Sequence, residues 1–392
     1  MKAAVETYSP KDSFTADLQR KLSRSQIPAL HGVRAIAVFL VILYHFGLPF
    51  PGGHGVLIFF VLSGFLITWL LLKENEKSGT VSLRGFYKRR ILRIFPAFYF
   101  YWIVVIALLL IGHKNIPWPH AVSSLFYVSN YYNAIFGDPN TSFSHTWSLG
   151  IEEQFYLLWP FLFVRFRHDL KKMTLLLAGI IGAVWIHRCI LYFFFHFDQT
   201  YFYAAFDTRV DNLMVGCLLA VLMKRGALMG FWRTACRSIV MPLSACTLLV
   251  LSIFAGPVLI PRYRDFIGFA VDPILVAIII VQMLALSSTV YFRWLEWPSV
   301  RFLGDISYSL YLWQQFTLGV TKHLQLIMPV KLMVAVAFTI AAASFSYYVI
   351  ERPFLKLKDK RFSLRIFAGR KFAPGTGIDN LATGSAQAAE DA

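Results

Sequence analysis

The recurrence of apolar runs of about 20 residues along almost the whole chain is the feature that most constrains its fold. Each run has the length that an α-helix needs to cross the hydrocarbon core of a membrane, about 30 Å. The 392 residues are 57% hydrophobic and 15% charged, whereas an ordinary soluble domain carries roughly 25% charged residues. These proportions exclude a soluble enzyme, a disordered protein and a disulfide scaffold. The four cysteines form no C-x-x-C pair, and we predict no metal site.

Charged and Pro/Gly-rich segments divide the apolar runs into ten predicted membrane spans. The spans cover residues 28–48, 54–72, 94–112, 147–164, 173–193, 207–223, 239–256, 266–288, 303–321 and 332–350. This pattern predicts an all-α polytopic membrane protein with about ten transmembrane helices and both termini on one side. The chain then divides into an N-terminal tail at 1–27, a transmembrane domain at 28–353 and a basic, then disordered tail at 354–392.

The positive charges are distributed unevenly between the two sides that this topology defines. The chain has 38 Lys and Arg against 21 Asp and Glu, a net charge of +17. The side that carries both tails holds 30 of the 38 basic residues, the other side holds 5, and three arginines lie within or at the ends of spans. The positive-inside rule places the rich side, and both termini, in the cytoplasm. Orientation and contact with membrane lipids explain the excess charge, so no nucleic-acid partner is expected.

The first span contains a basic residue near each end, Arg34 and His45. The two are eleven residues apart, which on an α-helix places them on one face, separated by about 16 Å along the axis. Arg34 is expected near the cytoplasmic end and His45 near the external end. Ionisable groups inside spans are costly and mark functional sites by default. The alternative is structural, namely a snorkelling arginine and a histidine satisfied by a neighbouring helix.

A cluster of three arginines, Arg89, Arg90 and Arg93, precedes the third span. Arg90 and Arg93 are three residues apart, so they share a helix face and can converge on one polyanion. The alternative is that these residues only anchor the span on its cytoplasmic side.

The fourth span opens with the sequence HTWSLGIEEQFY, which begins at His145 and includes Trp147. Two adjacent carboxylates ahead of a long apolar run are hard to explain by packing alone. Ser148, Glu152 and Tyr156 fall on one helix face, so we expect Glu152 to point into the protein.

Further polar groups occur in later spans. Asp207 and Asp211 are predicted to share a face of the sixth span, where Arg209 neutralises one of them or all three form a structural network. Asp272 precedes Pro273, and backbone groups that the proline frees are its expected partner. Gln314 is expected near the middle of the ninth span.

Seven motifs occur in order and are distributed over essentially the whole membrane region, about residues 28–355. They are R-x10-H at 34–45, FFVLSGFLIT at 59–68, R-x-x-R at 90–93, HTWSLGIEEQFY at 145–156, DTRVDNLMVG at 207–216, ISYSLYLW at 306–313 and ERPFL at 351–355. Together they resemble the acyltransferase-3 family of integral-membrane acyltransferases, which includes bacterial O-acetyltransferases of the OafA type.

The resemblance implies that an acyl group, usually acetyl, moves from acyl-CoA to a hydroxyl of a cell-envelope glycan or a lipid-linked saccharide. It implies a multi-pass protein of the bacterial cytoplasmic (inner) membrane, with arginine motifs that help to bind CoA and an essential His45. Acyl-CoA is then a donor co-substrate, and no tightly bound cofactor is expected. Many members carry His after the YLW motif, where this chain has Gln314.

The resulting hypothesis places CoA against Arg34, Arg89, Arg90 and Arg93, with the pantetheine arm running towards His45. His45 acts as general base on the acceptor hydroxyl, and Glu152 orients its imidazole. Direct transfer is favoured over an acyl-enzyme, and an amide such as Gln314 or Gln154 donates to the developing oxyanion. The residues His145, Trp147, Ser148, Asp207, Arg209 and Asp211 are assigned to the acceptor side or to supporting roles. A proton-coupled transporter would place similar charges inside its spans and is the competing hypothesis. The sequence leaves the acceptor, the acyl chain length and the oligomeric state open.

Overall fold

Helices make up the regular structure of this chain in a computed structural model that describes residues 10–24 and 27–357. Within these ranges no β-strand occurs. The helices are α1 (Pro10–Ser23), α2 (Pro28–His45), α3 (Gly52–Ser78), α4 (Leu83–Ile111), α5 (Trp118–Leu125), α6 (Ser129–Phe136), α7 (Trp147–Phe166), α8 (Leu170–Phe193), α9 (Gln199–Ala204), α10 (Val210–Lys224), α11 (Met229–Ala235), α12 (Val240–Phe254), α13 (Gly256–Leu259), α14 (Phe269–Ala285), α15 (Pro298–Asp305), α16 (Ser307–Thr321) and α17 (Met328–Phe345). A π-helical segment, Arg264–Gly268, leads into α14, and another, Ser346–Glu351, continues α17.

Each of the ten predicted spans coincides with a helix, so the all-α prediction is confirmed. Six helical segments of the described chain are long and apolar enough to cross a membrane on their own, namely Pro28–His45, Gly52–Ser78, Leu83–Ile111, Leu170–Phe193, Arg264–Ala285 and Met328–Leu357. Helices α10 and α11 make a seventh if this pair, bent by 108°, is one span. The total of ten spans and the side of the termini stay predictions. Most of the predicted C-terminal tail, from residue 358 onward, and residues 1–9 and 25–26 of the N-terminal tail lie outside the described residues.

The segment 73–93, predicted as a loop, is mostly helical. Helix α3 continues to Ser78 and ends at Gly79, whose φ of 68° suits glycine. Helix α4 begins after Ser82, whose hydroxyl accepts a hydrogen bond from the backbone N–H of Gly85 at 3.0 Å. Arg89, Arg90 and Arg93 therefore lie in the first three turns of α4, where helical spacing fixes their directions. We call the end of the molecule where α3 ends and α4 begins the basic end.

Helix α3 lies at the centre of the packing. At Gly64 and Gly216 the backbones of α3 and α10 approach so closely that a Cβ atom at either position would collide with the backbone of the other helix. Helix α2 runs antiparallel to α3 on another side, and the two are joined beyond His45. We call this opposite end of the molecule the His45 end. The close packing holds α3 as a fixed wall for the space described next.

Candidate functional site

A cavity of about 500 Å³ lies between α2, α3, α4, α7 and α16. Along α3 its lining runs from Val56 to Lys73, a length of about 25 Å at the helical rise of 1.5 Å per residue. The cavity thus extends from the basic end towards the His45 end. Its charged lining residues are Arg24, Arg34, Lys73, Arg90, Arg93, Glu152 and Glu153. We call it the arginine cavity; its volume is in the range of small-molecule sites, roughly 300–1,000 Å³.

The structure brings three of the four predicted CoA-binding arginines into this cavity. Arg34 of α2 and Arg90 and Arg93 of α4 all line it, as the spacing of Arg90 and Arg93 predicts. The guanidinium of Arg90 lies over the ring of Tyr156, 5.3 Å from the ring centroid, which fixes its position. Arg89 is one residue further round the helix, and its Nη2 lies 2.7 Å from Glu74 Oε2. Arg89 is not among the lining residues because that rotation of about 100° directs it to Glu74.

The predicted face of α7 also lines the cavity. Ser148, Glu152 and Tyr156 are all lining residues. Glu152 accepts a hydrogen bond from the hydroxyl of Ser63 at 2.8 Å and interacts electrostatically with Arg34 and other cavity arginines. Across the described ranges, no hydrogen bond joins Glu152 to His45. No direct contact therefore supports the expectation that Glu152 orients the imidazole of His45. The negative charge of Glu152 instead offsets the positive charge of the cavity arginines.

Two hydroxyl groups close the cavity towards the His45 end. The hydroxyls of Ser148 and Tyr311 are hydrogen bonded at 2.6 Å, and Tyr311 also donates to the carbonyl of His145 at 2.9 Å. Behind them, the side-chain oxygen of Gln315 accepts from the backbone N–H of His145 at 2.9 Å and lies 2.7 Å from its Nδ1. Ser63 and Tyr311 were missed as individual residues, and Gln315 was noted only as a polar residue near the middle of its span. The motifs FFVLSGFLIT and ISYSLYLW contain the first two, but a motif does not say which side chain faces the cavity.

His45 lies beyond this boundary and does not line the arginine cavity. It ends α2 beside Gln314, and its ring interacts electrostatically with His145. The side chain of Gln314 is completely buried and interacts with His45, but neither its oxygen nor its nitrogen makes a hydrogen bond of normal geometry. Nδ1 of His45 and Nε2 of His145 are also buried, and neither makes a hydrogen bond of normal geometry. We call His45, His145 and Gln314 the histidine cluster. Buried polar groups are normally paired, so this cluster has unused hydrogen-bonding capacity.

Asp207 and Asp211 have separate partners. Helix α10 begins at Val210, so Asp207 lies in the preceding 3₁₀ turn and does not share a helix face with Asp211. Asp211 forms a buried ion pair with Arg188 at 2.7 Å, and Asp207 lies 2.9 Å from Nε2 of His187. Asp207 also accepts hydrogen bonds from the hydroxyls of Tyr131 and Tyr201. Arg209 interacts electrostatically with Asp211, and its guanidinium lies 3.9 Å from the ring centroid of Phe269.

Other predicted residues lie apart from the arginine cavity. Asp272 lies 2.9 Å from Nε2 of His54 and accepts a hydrogen bond from Ser252, so its partners are side chains of other helices and not backbone groups freed by Pro273. Trp147 is buried with its ring 4.7 Å from that of Tyr203. Among the described residues, no group of three or more His, Cys, Asp or Glu side chains is placed to hold a metal ion.

These features define a helical protein with several apolar spans and an internal, arginine-lined cavity, which two hydroxyl groups separate from a histidine cluster. Comparison with known families gives the same class, because residues 27–351 match the acyltransferase-3 family, described as an acyltransferase domain. The chain belongs to this family and is a multi-pass membrane protein. The family resemblance predicted from the seven motifs is confirmed.

Named relatives include peptidoglycan O-acetyltransferase OatA of Listeria monocytogenes, 32% identical over 362 residues, or 86% of this chain. O-acetyltransferase OatA of Staphylococcus aureus is 30% identical over 88% of the chain, and putative peptidoglycan O-acetyltransferase YrhL of Bacillus subtilis is 31% identical over 88%. The matched region spans only 57% to 60% of the length of these relatives. No solved structure matches the chain.

Proposed function

We propose that this protein transfers an acyl group, with acetyl as the default, from acyl-CoA to a hydroxyl of a cell-envelope glycan. Family membership supports the reaction class. The names of the relatives support peptidoglycan as the first acceptor to test, although the matched region is only part of those proteins. A lipid-linked saccharide carries the same hydroxyl chemistry and is the second acceptor to test.

The observation that carries the proposal is the polarity of the arginine cavity. Arg34, Arg90 and Arg93 line it and can hold phosphates through charge-assisted hydrogen bonds. The cavity runs along about 25 Å of α3 in all, and the part beyond the arginines is assigned to the pantetheine arm. The charge distribution of the sequence supports a cytoplasmic position for the basic end, where acyl-CoA is available. The protein is accordingly proposed to lie in the bacterial inner membrane with both termini in the cytoplasm.

The chemistry is assigned to the histidine cluster. The neutral imidazole of His45 takes the proton of the acceptor hydroxyl while that oxygen attacks the thioester carbonyl carbon. The C–S bond then breaks, and the proton passes from His45 to the CoA thiolate. The side-chain N–H₂ of Gln314, which makes no hydrogen bond of normal geometry in the resting protein, donates to the carbonyl oxygen as negative charge develops on it. Glu152 is assigned to the arginines and to Ser63, because its contacts are there.

This assignment requires a path between the cavity and His45. The hydrogen bond between Ser148 and Tyr311 closes that path in the structure. The proposal therefore includes the opening of this hydrogen bond when the donor enters, so that the thioester passes between the two side chains. The carbonyl of His145 accepts a hydrogen bond from the Tyr311 hydroxyl. A movement of Tyr311 would therefore be transmitted to His145, a member of the histidine cluster.

The test is acyl transfer by the purified full chain in lipid nanodiscs, with labelled acetyl-CoA and peptidoglycan fragments as acceptor. We expect His45→Ala to lower turnover by about 100-fold or more, because a general base contributes roughly 10²–10⁴-fold. Tyr44→Ala is the matched control, since Tyr44 is the exposed neighbour on the same helix. Both variants should unfold at the wild-type temperature. Preserved turnover in His45→Ala contradicts the proposed base.

A further inference from the structure

A second cavity, of about 300 Å³, lies between α1, α3, α10 and α11 at the basic end. Trp69 and Lys73 of α3 line both this cavity and the arginine cavity. The two spaces are therefore neighbours that share one wall, and a single elongated molecule can occupy both. We call the second space the α1 cavity.

The walls of the α1 cavity combine apolar and hydrogen-bonding side chains. The apolar residues are Leu18, Leu22, Trp69, Leu72, Met223 and Met229, and the uncharged polar residues are Thr15, Gln19 and Ser23. This combination suits a flat heterocycle, which needs apolar contact on its faces and hydrogen bonds at its edge. Methionine side chains adapt well to such a ring because they are flexible and polarizable.

Helix α1 is held firmly against the rest of the protein, so the cavity has a fixed outer wall. Leu18 and Leu22 are each only 2% exposed. The buried ammonium of Lys21 donates to the backbone carbonyl of Ala285, near the end of α14, at 2.6 Å. The indole N–H of Trp69 donates to the carbonyl of Leu22 at 3.1 Å. These contacts between distant parts of the chain order α1 over the opening.

Lys73 provides a positive charge where the two cavities meet. Its Nζ donates to the backbone carbonyl of Arg24 at 3.1 Å. In the part of the chain that the structure describes, no carboxylate lies within 4.0 Å of Lys73. By contrast, Lys224, the other lysine of the α1 cavity, is paired with Glu76 at 2.6 Å. The charge of Lys73 is thus available to an anionic ligand.

Lys73 and Arg90 lie at similar depth below the turn between α3 and α4. Lys73 is five residues before the end of α3 at Ser78, and Arg90 is seven residues after the start of α4 at Leu83. At 1.5 Å per residue these separations are about 8 Å and about 11 Å. The arginine cavity therefore has two groups of positive charge near its opening, Lys73 beside the α1 cavity and Arg90 with Arg93 on the facing helix.

We propose that the α1 cavity binds the nucleoside end of the donor acyl-CoA and that Lys73 holds its ribose 3′-phosphate. The adenine then lies among Trp69, Met223 and Met229, the diphosphate reaches Arg90 and Arg93, and the pantetheine arm continues into the arginine cavity. This inference rests on the proposed function, because it takes acyl-CoA as the donor. It assigns a binding role to α1, which precedes the region matched by the family.

The test compares CoA with dephospho-CoA, which lacks the 3′-phosphate, in binding to the purified full chain in nanodiscs. We expect Lys73→Met to weaken CoA binding about tenfold, the loss of one charge-assisted contact. Dephospho-CoA binding should change less than about twofold, because the partner of Lys73 is already absent. Lys77→Met is the matched control, since Lys77 is exposed on the same helix and lines neither cavity. It should leave both affinities at their wild-type values.

A second variant tests the adenine site. Met229→Trp fills part of the α1 cavity and should lower turnover of acetyl-CoA about tenfold or more while leaving turnover of acetyl-pantetheine, which has no nucleotide, unchanged. Equal effects of Lys73→Met on CoA and dephospho-CoA, or equal effects of Met229→Trp on both donors, overturn this inference while acetyl-CoA stays the donor. A wild-type protein that neither binds CoA nor uses acetyl-CoA overturns the proposed donor itself.

Discussion

Two groups of arginines within the helical bundle show different uses of charge in this protein. Arg188 is completely buried, with Nη2 2.7 Å from Asp211 and Nη1 donating to the carbonyl of Thr208 at 2.8 Å. Arg34 and Arg90, by contrast, line a cavity of about 500 Å³. The first arrangement is closed by protein groups, whereas the second leaves space for a ligand. An arginine within the helical bundle therefore indicates a binding site only when its guanidinium faces open space.

The closed pair gives the largest expected effect on stability. Arg188→Met leaves the carboxylate of Asp211 buried without its partner, which costs roughly 3–5 kcal/mol. We expect the variant to unfold at a clearly lower temperature in detergent, or to accumulate poorly. The double variant Arg188→Met with Asp211→Leu should recover most of the loss, because no charge is then buried alone. Wild-type thermal stability in the single variant would show that the pair is not structural.

The two groups of arginines also differ in how well the sequence predicts their surroundings. Arg90 and Arg93, like Ser148 and Glu152, were predicted to face together because each set lies on one helix, where a spacing of three or four residues fixes direction. The pairing of Asp211 with Arg188 joins α10 to α8, and no spacing within one helix predicts it. Contacts of this kind depend on how helices pack, which a single sequence does not show.

The prediction of the helices has the same limit, because some of their ends depend on how the helices pack. All ten predicted spans overlap helices because each apolar run is long and bounded by charged or Pro/Gly-rich segments. Breaks inside a run are less visible. The predicted span at 303–321 is divided at Ile306, where α15 ends and α16 begins, and the span predicted from 207 starts as a helix only at Val210. Helix ends of this kind are set by tertiary contacts more than by composition.

The arginines of the open cavity should affect ligand binding without affecting stability. Arg90→Gln and Arg93→Gln should each weaken acetyl-CoA binding roughly tenfold, because each removes one charge-assisted contact to a phosphate. The thermal unfolding temperature should stay near its wild-type value, since these side chains line open space. Arg89→Gln is the matched control, because Arg89 is paired with Glu74 and lies outside the lining. If Arg89→Gln weakens acetyl-CoA binding as much as the other two variants do, then the arginines that line the cavity contribute no more to binding than an arginine outside it.

Gln314 extends the comparison to an uncharged group, and its replacement gives the smallest expected change in stability. Its amide is buried beside His45 and neither polar atom makes a hydrogen bond of normal geometry, so the folded protein gains little stability from it. Gln314→Leu, which has a similar size, should therefore leave thermal stability unchanged or slightly higher, because a poorly paired buried polar group is removed. Turnover of acetyl-CoA should fall about tenfold, the value of one hydrogen bond to the developing oxyanion, with little change in CoA affinity. A variant that loses stability and keeps turnover would show the opposite, that Gln314 supports the fold and has no part in the reaction.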